Sequence, residues 1–312
     1  MKKRTMTSAW MNGEFIPWDE AKVHVSSSCV MLASRIFEGM RAYWNDSHEQ
    51  LYIFKSPDHL RRLYQSAKIM RMSPPYAAAQ LESAYVELLT RNSYREDAHF
   101  MPSIYLGIGQ HFMSYTPDTI DTGMYITSAP RKSQLGSGTG INVCVSSWTR
   151  ISDRDMPPRI KVAANYQNGR LAHVQAREDG YDDAILLNER GKMAEGPGAC
   201  VFLIRHGTAI TPPVTAGILE SITRTTLIQL LQDELSVPVI EREVDRTELY
   251  IADEVFFCGS AFEVTPILSV DRYVVGNGKV GDLTAKLQHV YDQVIRGNNP
   301  TYADWLLPVY GA

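Results

Sequence analysis

Apolar and polar residues change period several times along the chain, and each period predicts an element. Trp10-Met-Asn12-Gly13-Glu-Phe15 places Asn-Gly between two short apolar runs, which marks a tight hairpin turn. Leu51–Phe54 reads as a strand, and from about Asp58 the residues Leu60, Leu63, Ala67 and Met70 recur at helical spacing. Ala77–Leu89 and Phe100–Gly107 read as a second helix and another strand. Arg131 to Gly140 then breaks the pattern with three glycines and two adjacent cations, as an interdomain linker does. Past it, Ile141, Val143 and Val145 alternate like a half-buried strand. Ala184–Leu187, Val201–Ile204 and Val255–Cys258 are short continuous apolar runs suited to interior strands, and a helix after Thr223 carries Leu227, Leu230, Leu231 and Leu235 on one face. There is no internal repeat and no low-complexity tract. Strands and helices mix in both halves, which predicts an α+β fold of two domains, 1–130 and 141–312, joined by a loop over 131–140, with a ligand cleft between them.

With 312 residues, 44% of them hydrophobic, the chain can bury a substantial core. A net charge of −4 and the lack of any basic run argue against nucleic acid or anionic membrane as the main partner and leave small molecules. The start Met1-Lys-Lys-Arg4 is basic like that of a secretion signal, but the Thr5-Met-Thr-Ser-Ala that follows is not an apolar core region. No stretch reaches membrane-spanning length. Cys29, Cys144, Cys200 and Cys258 are far apart, with no Cys-x-x-Cys pair and no histidine spacing typical of zinc, so no metal site is expected. They read as buried free thiols in a reducing cytoplasm.

Three features carry candidate chemistry. Lys161 sits in the uncharged run Val-Ala-Ala-Asn165-Tyr166, an apolar setting that would keep its amine available for Schiff-base formation; a surface lysine is the ordinary alternative. Glu195 lies between a strand-like run and Gly196-Pro197-Gly198, where a solvated turn carboxylate is the ordinary alternative. Ser221-Ile222-Thr223 precedes an amphipathic helix, so unsatisfied N–H groups would face outward at the positive end of the dipole, a place for a dianion. Simple N-capping explains the same residues. An amine, a carboxylate and a phosphate cradle together are what pyridoxal phosphate asks of a protein.

The residues around this trio form ordered motifs. They are Met11-Asn-Gly-Glu-Phe15, Phe37-Glu38-Gly39-Met-Arg41, His59-Leu-Arg-Arg62-Leu63, Arg159-Ile-Lys161-Val-Ala-Ala-Asn165-Tyr166, Gly180-Tyr-Asp-Asp-Ala-Ile-Leu-Leu187, Met193-Ala-Glu195-Gly196, Leu219-Glu-Ser221-Ile222-Thr223-Arg224 and Gly259-Ser260-Ala261, ending near Gly278-Lys-Val-Gly281. In this order and at these intervals they resemble the class IV (fold type IV) pyridoxal-phosphate aminotransferases, most closely the branched-chain amino acid aminotransferases, over nearly the whole chain. The resemblance implies an α+β, two-domain fold type IV enzyme with the cofactor between the domains, and a homodimer. It also implies roles. Lys161 stands where the family lysine holds the cofactor and then serves as general base at the substrate α-carbon. Glu195 stands where the family carboxylate pairs with the pyridine nitrogen and favours the protonated ring. Tyr166 resembles the tyrosine on the phenolic oxygen. Ser221, Ile222, Thr223, Ser260 and Arg62 resemble the phosphate contacts, with Arg62 chosen over Arg61 because it falls three positions after His59. Phe37, Met101, Tyr105 and Ala261 would help line the substrate pocket, the Ala261 N–H near the substrate carboxylate.

The substrate half departs from the family pattern. The family's Tyr-x-Arg-Pro reads His99-Phe-Met101-Pro102 here, and a tyrosine usual before Phe-Glu-Gly is replaced by Leu32. In the family those polar groups help hold substrate carboxylates, so Arg131, Lys132 or Arg35 are candidate replacement cations. Ser221 stands where Gly is usual, Ser260 where Thr is common, and Cys200 where Asn is usual. The implied activity is ping-pong transfer of an amino group between an apolar or branched-chain amino acid, or an amine, and a 2-oxo acid or other carbonyl acceptor, with glutamate and 2-oxoglutarate as poor partners. A lyase resembling aminodeoxychorismate lyase, and a D-amino acid or (R)-amine transaminase of the same fold, are the alternatives.

Overall fold

The computed structural model describes residues 6–110 and 116–311; the basic start Met1–Arg4 lies outside them. The chain divides into two compact units, one of Met1–Ser133, Ile160–Ala164 and Val294–Ala312, the other of Gln134–Arg159 and Asn165–Gln293. Each mixes strands and helices in the α+β manner. The division differs from the sequence reading, which ran 141–312 as one domain. Residues 160–164 return to the first unit because Val162 bridges Ile36 of its sheet, and the C-terminal stretch because Leu306, Leu307 and Pro308 pair there with Phe54, Ile53 and Tyr52. Composition marks only the glycine-rich break, so it shows one crossing where there are several.

In the first unit, β1 (Ser8–Met11) and β2 (Glu14–Pro17) form a hairpin whose turn residues Asn12 and Gly13 have φ of 50° and 98°, the left-handed pair such a turn requires. There follow α1 (Ser28–Met31), β3 (Arg35–Phe37), β4 (Met40–Asn45), β5 (Gln50–Phe54), α2 (Ser56–Ile69), α3 (Ala78–Arg91), β6 (Ala98–Gly109) and β7 (Ile120–Pro130). The sheet runs β5-β4-β6-β7-β1-β2, antiparallel throughout, with β3 also on β6. Along β6 the fully buried Phe100 and Ile104 alternate with residues of the other face, and the Phe100 ring lies 5.1 Å from Tyr85 of α3. One face is therefore the helix-covered core, and His99 and Met101 point away from it.

The second unit contains β8 (Ile141–Thr149), α4 (Asn165–Glu178), β9 (Asp183–Leu187), β10 (Cys200–Arg205), β11 (Thr208–Thr211), α5 (Ile222–Asp233), β12 (Val239–Glu241), β13 (Glu254–Gly259), β14 (Glu263–Val270), β15 (Tyr273–Val274) and α6 (Asp282–Ile295), whose last two residues count with the first unit. Its sheet is mixed, in the order β12-β11-β10-β13-β14-β8-β9 with β15 on β14. β10 and β13 are interior strands, as their apolar runs imply. β9 is last in this order of strands, but residues 193–195 bond along its other side, and Ala172 and Ala176 of α4 pack on its Ala184 and Leu186. α5 buries Leu227, Leu230 and Leu231, whereas Leu235 lies past its end and is half-buried. A last strand, β16 (Leu306–Pro308), pairs with β5 in the first sheet.

Among the described residues no helix is long and apolar enough to cross a membrane, and no cluster of three or more His, Cys, Asp or Glu could hold a metal ion. All four cysteines are free thiols, but only Cys200 and Cys258 are buried; Cys29 and Cys144 are partly exposed.

Candidate active site

Lys161 lies in the short segment Ile160–Ala164 of the first unit, between the buried Ile160 and Val162. Val162 pairs with Ile36 of β3 in an isolated antiparallel bridge. The Phe37 N–H donates to the Lys161 carbonyl at 3.0 Å and the Ala163 N–H to the Arg35 carbonyl at 2.8 Å. On the other side, the Lys161 N–H donates to Ser66 Oγ of α2 at 3.3 Å. A strand and a helix thus hold the backbone that carries the amine, and Nζ stands 5.2 Å from the centre of the Phe37 ring.

Ser66 belongs to the inward stripe of α2, which comprises Ser56, His59, Leu60, Arg62, Leu63, Ser66 and Ala67. The spacing is that of any core-facing helix, yet His59, Arg62 and Ser66 occupy places that apolar side chains usually fill. Met70 instead forms the C-cap and is half-buried. Glu38, fully buried, meets two of the polar members. Arg62 donates through Nε to Oε1 at 2.7 Å and through Nη2 to Oε2 at 2.6 Å, while His59 Nδ1 lies 2.7 Å from Oε2. Burial alone would raise the Glu38 carboxyl, but the charge and fork of Arg62, with His59, outweigh it and hold it at about 2. Burial pushes His59 down more strongly than Glu38 lifts it, and because an ionised carboxylate can only accept, Nδ1 is the donor of this contact.

The expected substrate residues of this unit share the other face of its sheet. Phe37 pairs with Ser103 of β6 and Arg35 with Tyr105, while Met101 and His99 precede Ser103 at alternate positions. Arg41 of β4 pairs with His99. Burial first, then the charges of Arg131, Arg41, Lys161 and His59, pushes His99 down to about 4. Arg131 is exposed; its N–H donates to the Asp97 carbonyl at 2.8 Å and its carbonyl accepts from Arg41 Nη2 at 2.7 Å. Arg35 donates through Nη1 to the Tyr125 hydroxyl at 2.8 Å and lies over the Phe37 ring. Lys132 is exposed, and Leu32 is 41% exposed at the end of α1.

Glu195 belongs to the second unit. Its strand-like segment runs beside β9, with the Ala194 N–H on the Leu186 carbonyl at 3.0 Å and the Leu186 N–H on the Glu195 carbonyl at 2.9 Å. The following Gly-Pro-Gly turn packs on α4 at Gly169, where a Cβ would lie 2.6 Å from the Pro197 carbonyl oxygen. Glu195 Oε1 is 2.7 Å from Arg150 Nη2, with side chains 6% and 8% exposed. Oε2 accepts from the Leu219 N–H at 3.1 Å and faces Cys200 Sγ at 3.6 Å. Arg150, just past β8, is itself held: its N–H donates to the Leu187 carbonyl at 2.8 Å and Nε to the Gly217 carbonyl at 3.3 Å. Burial, and secondarily Glu195, pushes the Cys200 thiol up to about 12, so it stays a neutral donor.

Leu219 ties this carboxylate to α5. Two residues on, Ser221 caps the helix, its Oγ accepting the Arg224 N–H at 3.2 Å, and Ile222 and Thr223 open the first turn with Thr223 3% exposed. Arg224 braces the turn from below, through Nε to Thr211 Oγ1 at 3.1 Å and Nη2 to the Pro212 carbonyl at 2.8 Å. Tyr166 is half-buried at the second position of α4, and Ser260 and Ala261 are half-buried in the turn joining β13 to β14.

The predicted residues thus fall into two sets. Lys161, Arg62, Phe37, His99, Met101 and Arg131 lie in the first unit; Glu195, Tyr166, Ser221, Ile222, Thr223, Ser260 and Ala261 in the second. Two residues escaped the sequence reading: Arg150 as partner of Glu195, and Glu38 as partner of Arg62. A charge beside an apolar run is the only local trace of either, and it marks a position without naming its partner.

The profile of the family described as Amino-transferase class IV matches residues 35–270. Over 313 aligned residues the chain is 41% identical to a protein of Aquifex aeolicus (strain VF5) named probable branched-chain-amino-acid aminotransferase, covering 99% of each. It is 35% identical over 302 residues to the branched-chain-amino-acid aminotransferase of Escherichia coli (strain K12), covering 95% of this chain and 96% of that one. The solved structure of the branched-chain amino acid aminotransferase from Thermobaculum terrenum in its PLP form matches with a TM-score of 0.94 at 43% identity, over 99% of this chain and 100% of that chain. With the family profile spanning most of its length and full-length relatives at these identities, this chain belongs to the class IV aminotransferases and is most similar to their branched-chain group.

Proposed function

We propose that this chain is a pyridoxal-phosphate-dependent aminotransferase exchanging an amino group between an apolar, branched-chain type of amino acid and a 2-oxo acid. The observation that carries the site assignment is the setting of Glu195. A solvated turn carboxylate would be exposed, whereas this one is buried against Arg150, Leu219 N–H and Cys200, at the threshold of α5. Those three donors leave room for one more, since a carboxylate offers about four acceptor directions.

The donor chemistry fits the cofactor. Glu195 would hold the proton on the ring nitrogen, Tyr166 the phenolic oxygen, and the first turn of α5 with Ser221, Ile222 and Thr223, together with Ser260 and Arg62, the phosphate. Bound there, the cofactor supplies the electron sink that makes the substrate α-proton labile. Lys161 would anchor it covalently and, once displaced by substrate, move the proton at the α-carbon. Phe37, His99, Met101 and Ala261 would contact the substrate, with Arg131 over its carboxylate. The lyase and D-amino acid alternatives are disfavoured by full-length likeness to branched-chain aminotransferases. A second copy would cover the exposed apolar side chains Val23, Val25, Val30, Met31, Leu32 and Ile108 of the first unit, and we read the enzyme as a homodimer. Free thiols throughout suit a reducing compartment such as the cytoplasm.

Borohydride reduction of the cofactor-loaded protein, followed by peptide mapping, tests the assignment. The label is expected on Lys161, and Lys161→Ala should abolish turnover while retaining some cofactor through its phosphate. A label on Lys192 or another lysine would sink it.

A further inference from the structure

A surface arginine can follow a moving anion, but a buried arginine that must meet a phosphate at one place needs its plane fixed. Arg62 is 8% exposed on the inward stripe of α2, and its guanidinium is gripped on one edge, through Nε and Nη2, by both oxygens of Glu38. Glu38 is itself held on several sides and is fully buried. Its N–H donates to the Pro102 carbonyl at 2.9 Å, its Oε2 also takes His59 Nδ1, and it follows Phe37, whose N–H binds the Lys161 carbonyl. The dipeptide Phe37-Glu38 therefore braces the backbone of Lys161 with one residue and the side chain of Arg62 with the next. Two side chains on one helical stripe, His59 and Arg62, converge on one carboxylate, which explains their spacing of three residues.

A purely structural role is the rival. A buried ion pair is an inefficient way to fill a core, since well-packed apolar residues of similar volume often stabilise as much or more. What a bidentate fork does provide is orientation, because the two parallel N–H···O bonds fix the guanidinium in plane and rotation. We infer that Glu38 is a positioning residue for the cofactor phosphate: by clamping Nε and Nη2 of Arg62, with His59 as a second brace, it presents the guanidinium edge outside the fork at one fixed place. This rests on Arg62 being a phosphate contact.

The test compares two probes of the same apo-protein, pyridoxal phosphate and pyridoxal, which lacks the phosphate, by their dissociation constants in wild type, Arg62→Ala, Glu38→Gln, Glu38→Asp and the Glu38→Gln/Arg62→Ala double variant. Loss of an oriented charge-assisted contact should lower the affinity for pyridoxal phosphate relative to pyridoxal by about tenfold or more in Arg62→Ala and in Glu38→Gln. On the Arg62→Ala background the Glu38 substitution should change that ratio by less than about twofold, since a residue acting through another has nothing left to position. Glu38→Asp keeps the charge but shortens the side chain, so it should lower the ratio too, and it decides the matter if Glu38→Gln does not fold. An unchanged ratio in Arg62→Ala would remove Arg62 from the phosphate site and the inference with it. A lowered ratio in Arg62→Ala with an unchanged one in both Glu38 variants would overturn the inference alone, as would an equal loss of both probes.

Discussion

Arg150 Nη2 lies 2.7 Å from Glu195 Oε1, and both side chains are under one-tenth exposed. The pair joins the strand that precedes Lys161 in the chain to the carboxylate expected to face the cofactor ring. In water such a contact would be nearly neutral in energy; enclosed, it ties each charge to its partner. Arg150→Met should therefore leave Glu195 buried without its cation and destabilise the apo-protein by about 3–5 kcal/mol. Urea unfolding measures this, and a loss no larger than that of an exposed pair would show that water reaches the site.

Glu195→Gln nearly preserves shape while removing the charge available to the ring nitrogen. The rate should fall on the order of a hundredfold, about 2.7 kcal/mol of barrier, with a much smaller change in cofactor affinity. Single-turnover rates with leucine decide it, and an unaltered rate would remove Glu195 from the chemistry.

Gly169→Ala offers a test of geometry. In most helices the change stabilises by about 0.5–1 kcal/mol. Here the new Cβ would stand 2.6 Å from the Pro197 carbonyl oxygen and 2.9 Å from its Cα, both backbone atoms in the turn that follows Glu195. The sign should reverse, with a loss of about 1–3 kcal/mol and a lower Tm. A raised Tm would mean that the turn gives way without cost.

His99 provides a pH dependence. Burial, then the charges of Arg131, Arg41, Lys161 and His59, holds it at about 4, below its unfolded value near 6.5. The unfolded chain binds the proton first, so stability falls as pH drops from about 6.5 to 4, by up to about 1.4 kcal/mol per pH unit. His99→Gln should remove that portion of the slope. Parallel unfolding curves for wild type and variant across this window would show that the imidazole is not held neutral.

Met101 and Leu32 stand where carboxylate-binding side chains are usual, and Met101 shares a sheet face with His99 and Phe37. Glutamate should therefore be a poorer donor than leucine, by roughly tenfold to a hundredfold in kcat/KM, the value of one charge-assisted contact. Met101→Arg should narrow the gap. Parity in the wild type would point to Arg131 or Lys132 as the residue that reads the second carboxylate.

The legibility of this protein divides by the range of the interaction. Periodicity located α2, α3 and α5 to within a few residues, and Asn12-Gly13 announced its hairpin, because helical burial and left-handed turns depend on neighbours in the chain. The ordered motifs around Lys161, Glu195 and Ser221 carried the family, since a run of residue types at set intervals is preserved in sequence whatever its three-dimensional setting. Pairings were invisible. Nothing near Arg150 names Glu195, nothing near Glu38 says that its carboxylate closes on Arg62, and the apolar run of β9 cannot say that it lies under α4 beside the segment that carries Glu195. The membership of residues 160–164 and 294–312 in the first unit was equally hidden. A buried charge is tolerated only where the fold delivers an opposite one, and a strand finds its place by register with segments distant in sequence. Tertiary structure alone decides both, because each is a contact between residues whose local patterns carry no information about one another.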